Sequence, residues 1–327
     1  MATVLVTGGT GAVGAHLVRR LALEGHDVIC LSRHAAADDT RRDAFLGAAG
    51  RRVVFVPGDV ARLEDLEAVW SQHHPTHVVH AAAITPTPAM ERSMAAAVVS
   101  ANVLGTANVL ETAGRRGATR VIYVSSAGVY GETGDAAPVP EAAPLRGNSL
   151  YAITKKTGEQ LCEFYERLSG VPVAAVRVGW VYGAMERPMP GSREQMSLIY
   201  ECVRLALSGE ELRLHELDPV RDWINADDLA RAISALLFAG ALPHRLYNCA
   251  GPRGYSHSEL LDTLARVLPL RYRKSERADS ANVAPSLTRR RRGPLSVERL
   301  LTDTGYRPSI DLETGLRRYV EWVKTQG

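Results

Sequence analysis

A glycine-rich turn between a strand and a helix governs the reading of this chain. Thr3-Val4-Leu5-Val6-Thr7 is a short β-branched run, Gly8, Gly11 and Gly14 follow at intervals of three, and Val13, Leu17 and Leu21 then recur every fourth residue until Gly25. The period has switched from that of a strand to that of a helix laid on a sheet. Glycines at such a turn permit a tight reversal, bring backbone N–H groups close to a pyrophosphate, and let the helix pack on the strand. Gly8, Gly11, Ala12, Val13 and Gly14 are therefore expected to hold a dinucleotide.

The alternation continues. Further strands are predicted at Val28 to Leu31, Val53 to Val56, Val78 to Ala81, Val121 to Val124 and Val173 to Val178, with helices over Leu63 to Ser71, Ser93 to Ala113 and Leu150 to Leu168. Strands that alternate with helices predict an α/β fold, a doubly wound parallel sheet of the Rossmann type, over residues 1–178. Past Trp180 the alternation weakens, and Arg187-Pro188-Met189-Pro190-Gly191 marks a less regular stretch. Residues 179–327 are expected to form a smaller substrate-binding α/β annex, some of whose segments return to the sheet. Ser256 and Glu259 have capping-box spacing, Glu313 to Val323 reads as a closing helix, and the four arginines within Thr288 to Pro294 read as a surface loop.

A carboxylate at the end of the second strand would grip a ribose 2′-hydroxyl and select NAD, but this strand ends in Ser32-Arg33. A guanidinium and a hydroxyl suit a 2′-phosphate, so NADP is the expected cofactor, with NAD as the alternative. Farther on, Tyr151 and Lys155 are four residues apart and share one face of a predicted helix. To act as an acid or base near neutrality a tyrosine must be lowered by about 3 units from ~10, roughly 4 kcal/mol of phenolate stabilisation, part of which an adjacent ammonium supplies. The predicted strand before them ends in Ser125-Ser126, where open α/β sheets place their ligand crevice. Ser126 can polarise the oxygen that Tyr151 protonates or deprotonates.

The motifs together resemble an extended short-chain dehydrogenase/reductase of the NAD-dependent epimerase/dehydratase type. They are Thr7 to Gly14, Gly58-Asp59-Val60, His80-Ala81-Ala82-Ala83, Asn102, Ser125 to Gly131, Tyr151 to Lys155, and Arg221 to Asp228. The resemblance implies that Asp59 and Val60 border the adenine, that Ala81, Ala82 and Ala83 line the cofactor, that Asn102 belongs to the cofactor site, and that Lys155 also binds the nicotinamide ribose. It implies that Ser126 rather than Ser125 faces the reacting carbon, and that two long helices pair two copies into a homodimer. Departures narrow the reaction. Dehydratases and decarboxylases of this type carry acids where this chain has Ala127 and Gly128, so elimination is not expected. Trp180 stands where many relatives hold a substrate diphosphate with asparagine, whereas Arg221 matches an arginine that often contacts substrate phosphate, as one of Arg289 to Arg292 would.

The expected activity is hydride movement between nicotinamide and a secondary alcohol or ketone of a sugar-like substrate. The alternatives are a nucleotide-sugar epimerase with tightly bound NAD and a non-catalytic cofactor sensor. Composition sets the exclusions: 39 Lys and Arg against 36 Asp and Glu, net +3, give no field for nucleic acid or an anionic membrane. Cys30, Cys162, Cys202 and Cys249 form no CxxC pair and read as reduced core thiols. No metal site is expected, since Pro75 interrupts the spacing of His73, His74, His77 and His80, and His77 and His80 fall on opposite faces of a strand. The first apolar run is too short for a signal peptide, and the cytoplasm is the expected compartment.

Overall fold

The computed structural model describes residues 1–35, 39–133, 137–288 and 292–325. Six strands appear where the alternation put them: β1 (Thr3–Thr7), β2 (Asp27–Ser32), β3 (Val53–Pro57), β4 (His77–His80), β5 (Arg120–Ser126) and β6 (Val173–Val178). A seventh, Leu246–Cys249, returns from far along the chain and pairs with β6, Leu246 against Ala175. All seven are parallel, in the order Leu246–Cys249, β6, β5, β4, β1, β2, β3. The order reverses between β1 and β4, so the carboxyl ends of β1, β4 and β5 open onto one crevice.

Side chains of β1 alternate between two cores. Val4 and Val6 pack with Leu17 and Leu21 of the helix Ala12–Leu23 and with Leu229, Ile233 and Leu236 of the helix Ala226–Phe238. Leu5 packs on the other face with Leu66, Val69, Val109, Leu110 and Cys162 from the helices Leu63–His73, Gly105–Arg115 and Leu150–Ser169. Full burial of each such side chain contributes about 1.5–3 kcal/mol. A third core, built on Ile199, Leu212, Trp223, Leu261 and Leu316, lies in the C-terminal part. The Ser256 capping box and a closing helix, Leu312–Thr325, are both formed. All four cysteines are buried and free.

Two expectations are corrected. The long helix over Ser93 to Ala113 is broken: Thr87 caps a helix Pro88–Ser93, Met94 leaves helical geometry, and after Ala95–Val99 the segment Ser100–Leu104 widens into π-helical turns ahead of Gly105–Arg115. The arginine run does not simply cross the surface. Arg289, Arg290 and Arg291 lie outside the described residues, but Arg292 is buried and grips Asp222 through both guanidinium nitrogens, at 2.8 and 3.2 Å. Among the described residues no helix is long and apolar enough to cross a membrane.

Candidate active site

The crevice is a cleft, partly open to solvent, that runs from the glycine turn to Tyr151. At its first end Gly8 has a φ of +73°, and a Cβ there would stand 2.7 Å from the backbone of Ala82. A Cβ on Gly14 would stand 2.1 Å from the carbonyl oxygen of Gly8. Both positions therefore require glycine, and the two walls meet backbone to backbone. Gly11 caps the helix Ala12–Leu23 without a side chain, so the N–H groups of Ala12, Val13 and Gly14 have no intrahelical acceptor and border the cleft. That cradle of unpaired donors at a helix N-terminus fits a pyrophosphate.

The neighbouring walls carry the other predicted contacts. Ser32 closes β2 and its hydroxyl lies 2.7 Å from that of Thr10; Arg33 follows, exposed, at the cleft edge. Asp59 accepts from the Ala61 N–H at 2.9 Å and borders the cleft with Val60. Ala81, Ala82 and Ala83 leave β4 along the floor. Asn102 is not part of the wall. Its amide is spent on Ile84, accepting from N–H at 2.7 Å and donating to C=O at 2.9 Å, and on Thr154 at 3.1 Å. It shapes the floor from beneath. His80 is likewise buried between the hydroxyls of Thr7 and Thr106, at 2.6 and 3.0 Å, and burial holds its pKa down at about 3.

At the far end burial raises the pKa of the Tyr151 phenol, and the hydroxyls of Thr85 and Ser126 are among the groups that draw it down. Ser126 accepts from the Gly128 N–H at 3.1 Å, which leaves its own proton for a bond into the site. Ser125 points the other way: it donates to Glu159 at 2.6 Å, and Glu159 in turn is held bidentately by Arg177 at 2.9 and 2.7 Å. Lys155 is buried, donates to the Val124 carbonyl at 2.7 Å, and has its nitrogen 5.7 Å from the centre of the Tyr151 ring. The expectation that Lys155 lowers the tyrosine pKa takes a different form here. Burial pushes Tyr151 up, and the groups that pull it back are Thr85, Arg193 and Ser126. Lys155 itself is pushed down to about 8 by burial, against the opposing pull of Cys162 and Glu159.

Trp180 and Arg221 do not border this cleft. They meet each other, with the guanidinium of Arg221 stacked 3.9 Å over the indole. Arg221 donates through Nε to Nε2 of His257 at 2.9 Å and through Nη2 to the Leu287 carbonyl at 2.5 Å. Among the cleft residues that escaped the sequence reading are Thr85, Glu186 and Arg193. Arg187 is ion-paired with Asp39, which caps the short helix after β2, so the contact ties a cleft residue to that helix. The Arg-Pro-Gly irregularity after Gly183 was the available signal.

Residues 4–250 match the model of the NAD dependent epimerase/dehydratase family. The chain belongs to that family, and it is an enzyme of this class with a Rossmann-like fold. It is 27% identical to a dTDP-glucose 4,6-dehydratase of Xanthomonas campestris pv. campestris, covering 99% of this chain and 94% of that one. It is also 27% identical to UDP-glucuronate 4-epimerase 1 of Arabidopsis thaliana, covering 98% and 76%. Among solved structures, the UDP-glucose 4-epimerase of Thermotoga maritima with UDP-glucose superposes with a TM-score of 0.82 at 26% identity, over 99% of both chains. The corresponding Thermus thermophilus epimerase in complex with NAD gives 0.81 at 25%, over 98% and 99%.

Proposed function

We propose that this enzyme inverts one carbon of a sugar, carried on a nucleotide in the manner of its epimerase relatives, by reversible oxidation of a secondary alcohol. The carrying observation is the Tyr151 phenol placed at the end of the glycine-turn cleft, with Thr85 and Ser126 among the groups that draw its pKa down, beside Ala127 and Gly128, which offer no carboxyl for elimination. Gly8, Gly11 to Gly14, Asp59, Val60, Ala81 to Ala83 and Lys155 would hold the dinucleotide, which when bound supplies a hydride acceptor and donor. Tyr151 takes the alcohol proton and later returns it, while the free Ser126 proton stabilises the oxygen as it gains charge. The Lys155 nitrogen lies 5.7 Å from the centre of the Tyr151 ring, close enough to bind the dinucleotide beside the proton-transfer group. Residues 1–178 with the returning strand form the cofactor part, and most of 179–327 shapes the substrate side.

NAD supports the neighbours' reactions, but Ser32 and Arg33 at the cleft edge support NADP here. The Arg187–Asp39 tie supports a cofactor that stays bound through the cycle. The test mixes enzyme with a panel of UDP- and dTDP-sugars and reads anomeric proton signals together with nicotinamide absorbance. A new stereoisomer without accumulation of reduced cofactor is expected; stoichiometric reduced cofactor with a keto or lactone product overturns the reading. That outcome would promote a dehydrogenase of small sugars, which the Trp180–Arg221 stack favours because the indole fills space and takes the guanidinium face. Exposed Val99, Leu104, Ile153, Phe164 and Leu168 on the helical segments flanking the site support pairing of two copies. Sedimentation as a monomer at micromolar concentration would remove that pairing.

A further inference from the structure

One cation at the reacting end of the cleft, Arg193, helps draw the Tyr151 pKa down but makes no contact with substrate in the chemistry just described. The chain folds back at Met189 to Arg193, with the Met189 N–H donating to the Arg193 carbonyl at 2.7 Å and the Arg193 N–H to the Met189 carbonyl at 2.9 Å. The Thr85 N–H donates to the Ser192 carbonyl at 2.8 Å, so this hairpin is docked on a residue that lines the cleft together with Tyr151. Arg193 is thereby fixed beside the proton-transfer group by backbone bonds rather than by its own long side chain.

Its guanidinium is oriented from one edge. Nη2 donates to Glu186 at 3.0 Å and Nε reaches the Gln195 carbonyl at 3.5 Å, while Nη1 makes no bond to any described residue and the side chain lines the cleft. Glu186 is buried and also accepts from the N–H and the hydroxyl of Ser197, both at 2.8 Å, so its charge is shared among several donors. A planar fork with one edge tied and another open matches a carboxylate. Arg221 does not compete for this role, since it lies away from the cleft with its face on Trp180 and two of its nitrogens bonded to His257 and Leu287.

We propose that Arg193 receives a carboxylate of the substrate, one or two carbons from the carbon whose hydroxyl Tyr151 serves, so that the enzyme selects a sugar acid over the corresponding neutral sugar. The proposal rests on the reading above in one respect, that Tyr151 marks the reacting carbon. The position favours a carboxylate over a diphosphate: the carboxyl of a uronic acid is attached to a ring carbon next to C4, whereas a diphosphate on the anomeric carbon stands across the ring. A carboxylate brought beside Tyr151 would by itself oppose formation of the phenolate, and the guanidinium offsets that repulsion.

Equilibrium titration of the cofactor-saturated enzyme with UDP-glucuronate, UDP-glucose and UDP isolates the carboxylate, and D-glucuronate against D-glucose repeats the comparison without a nucleotide. In the unmodified enzyme the acid of at least one pair is expected to bind tenfold or more tightly than its neutral partner. Arg193→Met should bring that ratio near one, and Arg193→Lys should restore part of it. A ratio near one in the unmodified enzyme, no binding of either acid, or a ratio that survives Arg193→Met overturns the proposal. So does an Arg193→Met protein that loses affinity for UDP alone as strongly as for UDP-glucuronate, which would assign the guanidinium to a diphosphate. The unmodified ratio decides the matter even if a variant folds poorly. Because the readout is binding, a preserved ratio without epimerised product would reject the reaction and leave the Arg193 site standing.

Discussion

His257 holds Arg221 in place only while it is neutral, and this gives a pH dependence that can be worked through. Its Nδ1 proton is donated to the Glu216 carbonyl at 3.0 Å, and Nε2 accepts from Arg221 at 2.9 Å. Burial first, then the Arg221 charge, lowers its pKa from 6.5 to about 4. The folded value lies below the unfolded one, so between about pH 4 and 6.5 the unfolded chain binds more protons. The stability is therefore intact above about pH 6.5 and is lost as pH falls toward about 4. At about 1.4 kcal/mol per unit, ionisation removes about 2 kcal/mol at pH 5 and about 3 kcal/mol once both states are protonated. His257→Gln keeps a hydrogen-bonding amide near the Nε2 position and cannot titrate. Urea unfolding of both proteins at pH 7 and pH 5, followed by tryptophan fluorescence, should show the unmodified protein losing about 2 kcal/mol more than the variant. His80 and every other titrating group cancel in this double difference. A stability gap between the two proteins that does not change with pH would refute the reasoning.

Two further outcomes follow from the site. Tyr151→Phe removes the transferable proton and keeps the ring, so turnover should fall by about 10² or more with cofactor affinity near normal, read by steady-state kinetics and cofactor titration; retained turnover would take the acid/base role from Tyr151. Arg33→Asp should convert an at least tenfold preference for NADP, about 1.4 kcal/mol, into a preference for NAD, read by calorimetry; equal or tighter NAD binding by the unmodified protein would show that Arg33 does not select the cofactor.

The parts of the fold that could be read in advance are those whose causes are local. Val4, Leu5 and Val6 alternate between two cores, Leu17 and Leu21 recur with helical spacing, and Gly8 and Gly14 stand where a Cβ would collide with backbone. Tyr151 and Lys155 fell on one helix face for the same reason. The helix over Ser93 to Ala113 was misread because its start signal, Thr87 followed by Pro88, lies earlier and because the π turns at Ser100–Leu104 answer to tertiary contacts. There Asn102 reaches Ile84, and Gly105 packs so close to Val60 that a Cβ would stand 2.5 Å from its methyl. Thr85, Glu186 and Arg193 were invisible for a related reason. They are joined by a hairpin docked on a distant segment, and no periodicity records such a contact.

Arg221 and Arg292, two of the arginines that the resemblance singles out as phosphate ligands, have other partners in this fold. Arg221 and Asp222 are neighbours on extended backbone and face opposite ways: Arg221 goes to Trp180 and His257, while Asp222 takes both arms of Arg292 and the Leu295 N–H at 2.9 Å. Removing one member of such a buried ion pair costs about 3–5 kcal/mol, because the remaining charge keeps its desolvation penalty without its attraction. Arg292 is thus committed to fastening the segment before Leu295 onto Asp222, and releasing it toward a substrate phosphate would forfeit that stabilisation. Arg221 would have to give up its indole stack and its bonds to His257 and Leu287 to do the same. Arg193 pays no such cost, since its side chain lines the cleft with Tyr151 and its Nη1 has no partner among the described residues. The free energy of recognising an anion is therefore least opposed at the reacting end, which places charge selectivity next to the proton-transfer step rather than at the far end of the substrate.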